Sequence, residues 1–301
     1  MNYWSSPSPP PPPPGTTRFT ILGCGSSPGV PRIGEDWGNC DPTNPKNRRM
    51  RASLLVEKFG PDGKTVVVVD TGPDFRQQML NARIEAADGV IYTHAHADHI
   101  HGIDDLRSFL INRRRVVDIW TNQETSDRLH AAFGYCFKTP EGSSYPPILA
   151  EHRIVADTKF SVEGAGGSIE IQPFEQQHGD IVSLGFRFGD LAYCTDVSAW
   201  DERALPYLEG LDVLIIDALQ YRPHRSHFSL EQSVEWISKL KPSRAVLTHM
   251  HTPLDYDTVM AETPEHVTPA FDGMVLDQRD ESDGHELGQG TFPADFEASG
   301  Q

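Results

Sequence analysis

The chain has 301 residues, of which 38% are hydrophobic, and this composition allows one large globular domain or two small ones. It carries 26 lysine and arginine residues against 43 aspartate and glutamate residues, which gives a formal net charge of −17. Such an acidic surface repels polyanions and argues against general nucleic-acid or anionic-membrane binding, but not against a small anionic substrate attracted by bound metal ions.

The two ends of the chain differ in composition from the part between them. The proline run from Pro9 to Pro14 predicts an extended segment, and the C-terminal end is rich in Asp, Glu, Gly and Ser. We therefore expect disordered tails at residues 1–15 and 280–301 around one domain at residues 16–279. No apolar run approaches the about 18 residues of a membrane span, and no secretory signal is evident. Four irregularly spaced cysteines predict no disulfide framework, so we expect a cytoplasmic protein.

Between the tails, short apolar or β-branched runs alternate with segments of helical spacing. The predicted strands are Phe19–Gly23, Ala52–Glu57, Thr65–Asp70, Gly89–Thr93, Ile169–Phe174, Leu184–Phe188, Leu191–Thr195, Val213–Ile216 and Arg244–Thr248. The predicted helices are Asp104–Arg113, Gln123–Phe133 and Ser229–Leu240, the last beginning with a capping box of Ser229 and Gln232. Because several strands follow one another without a helix, this order predicts a layered α/β domain with sheets in the middle and helices outside.

A basic segment lies between the first two predicted strands of this acidic chain. Asn39–Arg51 contains Lys46, Arg48 and Arg49. These side chains could guide a phosphate group. A solvated loop is the favoured interpretation, because arginine and lysine are rarely buried without a partner.

A run of metal-ligand side chains follows the fourth predicted strand. It reads Thr93-His94-Ala95-His96-Ala97-Asp98-His99. Residues two apart in extended backbone point the same way, so His94 and His96 can converge on one ion. Asp98 and His99 are adjacent, and in a turn or helix start their side chains point away from those of His94 and His96, so they can bind a second ion. Imidazole and carboxylate together suit zinc, and also manganese or iron, better than calcium. A solvated histidine-rich turn is the less favoured alternative.

This run resembles the signature of the metallo-β-lactamase superfamily, and the resemblance covers roughly Thr16 to Asp277. It implies the four-layer αββα fold of that superfamily. Later motifs of the family are matched by His178, Asp196 and His249, each at or near the end of a strand-like run. The resemblance then implies that one metal ion is bound by His94, His96 and His178, the other by Asp98, His99 and His249, and that Asp196 bridges them.

Two bridged metal ions predict hydrolytic chemistry. A carboxylate that bridges cations about 3.5–4 Å apart leaves room for a bridging hydroxide, formed because the metals lower the pKa of water. The sequence therefore predicts a hydrolase with two divalent transition-metal ions, zinc before manganese or iron, and with Asp98 among its catalytic residues. Asp70 also ends a strand, and the family places here a carboxylate that orients a ligand; a plain turn is the alternative.

Two further segments are similar to phosphodiesterases of this superfamily. Gly23-Cys24-Gly25-Ser26-Ser27 resembles the opening of the phosphoribosyl cyclic phosphodiesterases and of the tRNA 3′-processing nucleases. His227 lies just before the capped helix, where the cyclic phosphodiesterases have a histidine that binds no metal and acts on the scissile phosphate. The resemblance therefore favours the phosphoribosyl cyclic phosphodiesterase branch and a catalytic His227. A surface histidine at a helix start is the alternative.

The leading functional hypothesis is hydrolysis of a small phosphate diester, cyclic or ribose- or nucleotide-like, by a metal-bridging hydroxide. A tRNA 3′-processing endonuclease is the first alternative, which the net charge of −17 disfavours. Thioester or lactone hydrolysis is the second. A metal-binding structural or sensor protein is the non-enzymatic alternative, which the complete ligand set disfavours. Neither a membrane nor nucleic acid in general is expected as a partner, and a homodimer is an arrangement that the sequence allows.

Overall fold

Two β-sheets form the centre of the computed structural model, which describes residues 11–279. Within these residues each sheet has seven strands, in the order β14-β1-β2-β3-β4-β5-β6 and β13-β12-β11-β10-β9-β8-β7. The first sheet consists of β1 (Thr16–Gly23), β2 (Ser53–Gly60), β3 (Gly63–Val69), β4 (Gly89–Ile91), β5 (Val117–Thr121), β6 (Leu149–Arg153) and β14 (Val275–Arg279). The second consists of β7 (Phe160–Val162), β8 (Ile169–His178), β9 (Ile181–Phe188), β10 (Leu191–Cys194), β11 (Val213–Asp217), β12 (Arg244–Thr248) and β13 (Val267–Pro269).

Helices cover the outer faces of both sheets. They are α1 (Phe75–Ala82), α2 (Ala97–Ile100), α3 (Arg107–Arg113), α4 (Gln123–Phe133), α5 (Leu205–Leu208), α6 (Leu230–Leu240) and α7 (Tyr256–Glu262). The α4 and β12 bounds equal the predicted ones, and the Ser229–Gln232 capping box begins α6 as predicted. The predicted helix Asp104–Arg113 instead starts with a 3₁₀ turn at Ile103–Leu106. Among the described residues, none of the helices has both the length and the apolar character needed to cross a membrane.

The valine run of β3 shows how the layers are held together. Val67 and Val69 pack in the core between the two sheets. Val66 and Val68 point to the other face and pack in a second core, which includes residues of α1, α3 and α4. Because successive side chains alternate between faces, a strand covered on both sides is apolar throughout. The four-layer αββα arrangement expected from the sequence is thereby confirmed.

Within the described residues the first strand, β1, starts at Thr16 and the last strand, β14, ends at Arg279, while the domain limits at residues 15/16 and 279/280 stay a prediction. Residues 1–10 and 280–301, which include most of the two predicted tails, lie outside the described residues. The tails therefore remain predictions.

Carboxyl ends of parallel strands gather at one edge of each sheet. In the first sheet, β3, β4, β5 and β6 run parallel, and in the second, β10, β11, β12 and β13 do. Strand β8 has the same direction as β10, because each is antiparallel to β9. The residues that follow these strands can therefore meet in one crevice, as is usual for open α/β sheets.

Two glycines allow α2 to approach the end of β3. A Cβ atom on Gly72 would lie 2.2 Å from the Asp98 carbonyl oxygen, and one on Gly102 would lie 2.2 Å from the Gly72 carbonyl oxygen. The backbone is held there by hydrogen bonds from Thr71 N to His99 O and from Gly102 N to Thr71 O, at 2.8 and 2.7 Å. The histidine-rich motif is thus fixed by backbone packing as well as by its side chains.

We predict that Gly102→Ala destabilises the protein, because its methyl group must displace backbone. Forced overpacking typically costs about 1–3 kcal/mol, and thermal unfolding should show a melting temperature lower by several degrees. Gly134→Ala is the control, since a Cβ atom there has no heavy atom within 4 Å in the described structure. Equal melting temperatures for the two variants would contradict the close-packing argument.

Candidate metal centre

Three histidines from different elements form the first group of the site. His94 follows β4, His96 is the N-cap residue of α2, and His178 ends β8. Their ring nitrogens lie within 4.8 Å of one another, with His178 Nε2 only 3.2 Å from His96 Nδ1. His178 donates from Nδ1 to the Ser226 carbonyl oxygen at 2.6 Å, which leaves the Nε2 lone pair facing the group. His178 of the second sheet thereby adds a third histidine to the pair His94 and His96, which follow a strand of the first sheet.

The second group combines two carboxylates and two histidines. Asp98 and His99 lie in α2, Asp196 follows β10, and His249 follows β12, with ligand atoms again within 4.8 Å of one another. Asp196 lies 3.1 Å from His99 Nε2 and 3.4 Å from His249 Nε2. Asp98 lies 3.4 Å from His99 Nε2 and 3.8 Å from His249 Nε2. All four side chains are buried.

Asp196 is placed between the two groups. Besides His99 and His249, it lies 3.9 Å from His94 Nε2 and 3.6 Å from His178 Nε2. The structure therefore brings together all seven residues that the sequence resemblance singled out, with Asp196 where a bridging carboxylate would be.

Unpartnered nitrogen atoms indicate that these groups fit metal ions. Nε2 of His94, of His99 and of His249 is buried without a hydrogen bond, which is costly unless another partner is supplied. Burial lowers the pKa of His94 and of His178, which favours the neutral imidazole that a metal ion requires. Nitrogen and carboxylate ligands of this kind suit divalent transition metals.

Asp70 orients one of these histidines. It is fully buried after β3 and accepts a hydrogen bond from His99 Nδ1 at 2.7 Å. It also accepts from Thr93 N and Thr93 Oγ1, at 2.8 and 2.7 Å. These contacts fix the His99 ring with Nε2 toward the candidate metal-ligand group; that Asp70 orients a metal ligand stays a prediction from the sequence.

Three residues of the site have left-handed backbone conformations. Asp70, Asp196 and His249 have φ values of 64°, 52° and 57°. Asp70 and His249 directly follow a strand and Asp196 follows one after a single intervening residue, so the chain turns sharply where each side chain enters the crevice. Such conformations cost free energy in residues other than glycine and persist where the surrounding structure enforces them, often at functional sites.

His227 lies beside both groups and is held by a residue that the sequence analysis did not identify. Asp217, the last residue of β11, accepts from His227 Nδ1 at 2.7 Å and from Val197 N at 3.0 Å. The His227 ring is stacked on that of His249, with centroids 4.7 Å apart and planes at 12°. Burial lowers the pKa of His227, but the Asp217 carboxylate, together with those of Asp196 and Asp98, raises it to about 9.

Asp217 was missed although its position in the sequence carries a signal. Asp217 ends the apolar strand β11, just as Asp70 ends the predicted apolar strand Thr65–Asp70. A ring nitrogen of His227 also lies within 4.8 Å of potential ligand atoms of His178, Asp196 and His249. Because its Nδ1 is committed to Asp217, only Nε2 is available to the crevice, where it can serve as a proton donor.

Comparisons with known proteins agree with this fold. The sequence model of one family, described as a beta-lactamase superfamily domain, matches residues 65–250. A crystal structure of a new diphosphatase from the PhnP family is 34% identical, with a TM-score of 0.78 over 87% of this chain and 97% of that chain. Zinc-bound PqqB from Methylobacterium extorquens is 16% identical, with a TM-score of 0.65 over 86% of this chain and 99% of that one, and shows a similar fold.

One curated relative has a different kind of name. An octanoyltransferase from Porphyromonas gingivalis is 31% identical over 87% of this chain and 52% of its own length. The chain thus spans about half the length of this relative.

Proposed function

Because the chain belongs to the metallo-β-lactamase superfamily, close to the PhnP family, and is a metal-dependent hydrolase, we propose that it hydrolyses a small phosphate diester, cyclic or ribose- or nucleotide-like. The observation that carries this proposal is His227, which is buried, bound to Asp217 and stacked on His249. A diester needs a donor for its leaving alkoxide, whereas a thiolate leaves a thioester without one. The PhnP-family diphosphatase, which by its name also acts on a phosphoryl compound, supports this substrate class.

We propose that the seven residues of the two groups hold two divalent ions, zinc before manganese or iron. His94, His96 and His178 would bind the first ion. Asp98, His99 and His249 would bind the second, and Asp196 both. When bound, such ions lower the pKa of a water molecule and withdraw charge from the phosphate.

The protein's own residues divide the remaining work. Asp217 accepts the Nδ1 hydrogen of His227, so the ring is fixed and its Nε2 faces the crevice. The same carboxylate stabilises the protonated imidazole, so that Nε2 can carry the proton that the leaving oxygen needs. The rings of His249, stacked on His227, and of His178, T-shaped to it, each have their centroid 4.7 Å from that of His227 and restrict its movement. His227 is therefore the proposed general acid, with Asp217 as its positioning residue.

The relative named as an octanoyltransferase suggests acyl transfer, which a nucleophilic thiol could perform. All four cysteines of this chain are buried, and burial raises the pKa of each thiol. A buried, protonated thiol is a poor nucleophile. Acyl transfer through cysteine is therefore not favoured here.

A hydrolysis panel tests the proposed function. The metal-loaded protein is offered phosphate diesters, including cyclic ribose phosphates, and in parallel precursor tRNA, phosphomonoesters, thioesters, lactones and β-lactams. The proposal expects diesters to have the highest kcat/KM. A preference for thioesters or lactones would overturn it, and activity only on precursor tRNA would favour the endonuclease alternative.

We predict that the purified protein binds about two transition-metal ions per chain and that His96→Ala binds fewer. His96 is exposed and its side chain makes no capping hydrogen bond, so its removal should cost little stability. Elemental analysis after reloading measures the content, and circular dichroism checks the fold. His101→Ala, which changes an exposed histidine at the other end of α2, is the control. A maximum of one ion in the wild-type protein would contradict the binuclear proposal.

A further inference from the structure

The loop before α6 places another histidine at the rim of the site. Ser226 and His227 of this loop already contact the candidate metal centre, through the Ser226 carbonyl bond to His178 and through the His227 ring. His224 is exposed on the same loop, and its ring centroid lies 5.3 Å from that of His227. It is not among the seven proposed ligands. His224 therefore lies next to the proposed general acid His227, on its solvent-facing side.

Contacts with Ser226 set the orientation and the tautomer of His224. The backbone nitrogen of Ser226 lies 3.3 Å from His224 Nδ1, and Ser226 Oγ lies 3.2 Å from it. A backbone N–H can only donate, so Nδ1 is the acceptor and carries no proton. The neutral ring then has its hydrogen on Nε2, for which the described residues supply no acceptor.

Its surroundings keep His224 in this neutral form. Partial burial lowers the pKa of His224, and the nearby His227 lowers it further, while Asp217 raises it. A neutral N–H donor recognises an oxygen acceptor, such as a hydroxyl or phosphate oxygen, and offers nothing comparable to an apolar or aryl group.

We infer that His224 is a specificity-determining residue that donates a hydrogen bond from Nε2 to the leaving group of the substrate, and that this leaving group carries oxygen acceptors, as a sugar or a phosphate does. The inference rests on the proposed phosphodiesterase function. His227 is placed to protonate the leaving oxygen itself. The adjacent ring of His224 then reaches atoms further out on the same leaving group.

Kinetics on two diesters test this assignment in the metal-loaded protein. One substrate is a 2′,3′-cyclic nucleotide, whose leaving oxygen belongs to ribose. The other is bis(4-nitrophenyl) phosphate, whose leaving group has no hydroxyl or phosphate oxygen and only the weakly accepting oxygens of a nitro group. His224→Ala should raise KM for the cyclic nucleotide about tenfold, the effect of one lost hydrogen bond, and change kcat much less. It should change the kinetics of bis(4-nitrophenyl) phosphate less than about twofold. His224→Gln, which keeps an N–H near the Nε2 position, should restore most of the loss.

His266→Ala serves as the matched control. His266 is exposed and lies just before the amino end of β13, whereas the site lies at the carboxyl ends of the strands. Its replacement should therefore change the hydrolysis of neither diester. Equal losses on both diesters, or an unchanged KM for the cyclic nucleotide, would overturn the role of His224. Wild-type hydrolysis of the nitrophenyl diester alone would overturn the proposed leaving group and leave the phosphodiesterase proposal standing. Wild-type failure on both diesters would overturn the phosphodiesterase proposal and the inference with it.

Discussion

Replacing Asp196 by alanine is expected to abolish hydrolysis and to remove at least one metal ion. Its carboxylate lies 3.1 and 3.4 Å from Nε2 of His99 and of His249, and 3.6 and 3.9 Å from Nε2 of His178 and of His94. One side chain thus faces both ligand groups, so its loss leaves both incomplete. Elemental analysis and steady-state hydrolysis of a diester measure the two effects on the same sample.

Two further variants make this result specific. Asp196→Asn keeps the size of the side chain but removes its charge, so it should also lose activity while circular dichroism stays unchanged. Asp201→Ala changes an exposed aspartate in the same segment and should retain full activity. Full activity of Asp196→Ala would contradict the proposed centre. A variant that is unfolded at room temperature would assign a structural role to the metals.

Replacing His227 by alanine is expected to lower turnover by about 10²–10⁴-fold without loss of metal ions. As a diester is hydrolysed, negative charge develops on the leaving oxygen, which lies opposite to the attacking nucleophile and needs a donor of its own. His227 Nε2 is the proposed donor, and the hydrogen bond from Nδ1 to Asp217 at 2.7 Å holds the ring in place. Metal analysis separates this role from that of a ligand, because a ligand variant would lose metal together with activity.

The leaving group separates proton donation from other effects of His227. Nitrophenolate departs without protonation, so the loss in His227→Ala should shrink for nitrophenyl diesters. Asp217→Asn should show the same dependence with a smaller loss, since the ring remains but loses its negative partner. A His227→Ala variant that is as active as the wild type on every diester would leave a metal-dependent hydrolase without evidence for a phosphodiesterase.

Elements with strong local signals were predictable from the sequence. The capping box of Ser229 and Gln232 fixes the start of α6 through two reciprocal hydrogen bonds, which depend on residues three apart. The valine run of β3 predicts a strand because it suits a sheet buried on both faces. The histidine-rich motif was recognisable because its spacing of two follows directly from the extended backbone after β4.

Features that depend on distant residues were not predictable. Strand β14 is short and polar, and its pairing with β1 joins the two ends of the described chain, with Arg18 and Asp277 2.8 Å apart. The end of an apolar strand marks Asp217 in the sequence, but it is one of 43 acidic residues, and only the fold shows that it contacts His227. In both cases the deciding contact joins segments whose sequences contain no sign of each other.

Arg49 corrects the expectation of a solvated basic loop at Asn39–Arg51. Its side chain is among the largest that are fully buried. The guanidinium donates to the carbonyl oxygens of Leu254 at 2.7 Å and of His251 at 3.4 Å, and to Asn47 Oδ1 at 3.2 Å. Backbone carbonyls therefore replace the water that the sequence interpretation assumed, and the segment is tied to the turn after His249.

The division of the proposed metal ligands between the two sheets has a consequence for how the protein unfolds. His94, His96, Asp98 and His99 belong to the first sheet and its helix, whereas His178, Asp196 and His249 belong to the second. Neither half of the chain has a complete ligand set, so a bound ion would act as a cross-link between them. Separating the sheets would then require breaking metal–ligand bonds before the core opens. A chelator should therefore shorten the lifetime of the folded chain against proteolysis even where its secondary structure is unaltered.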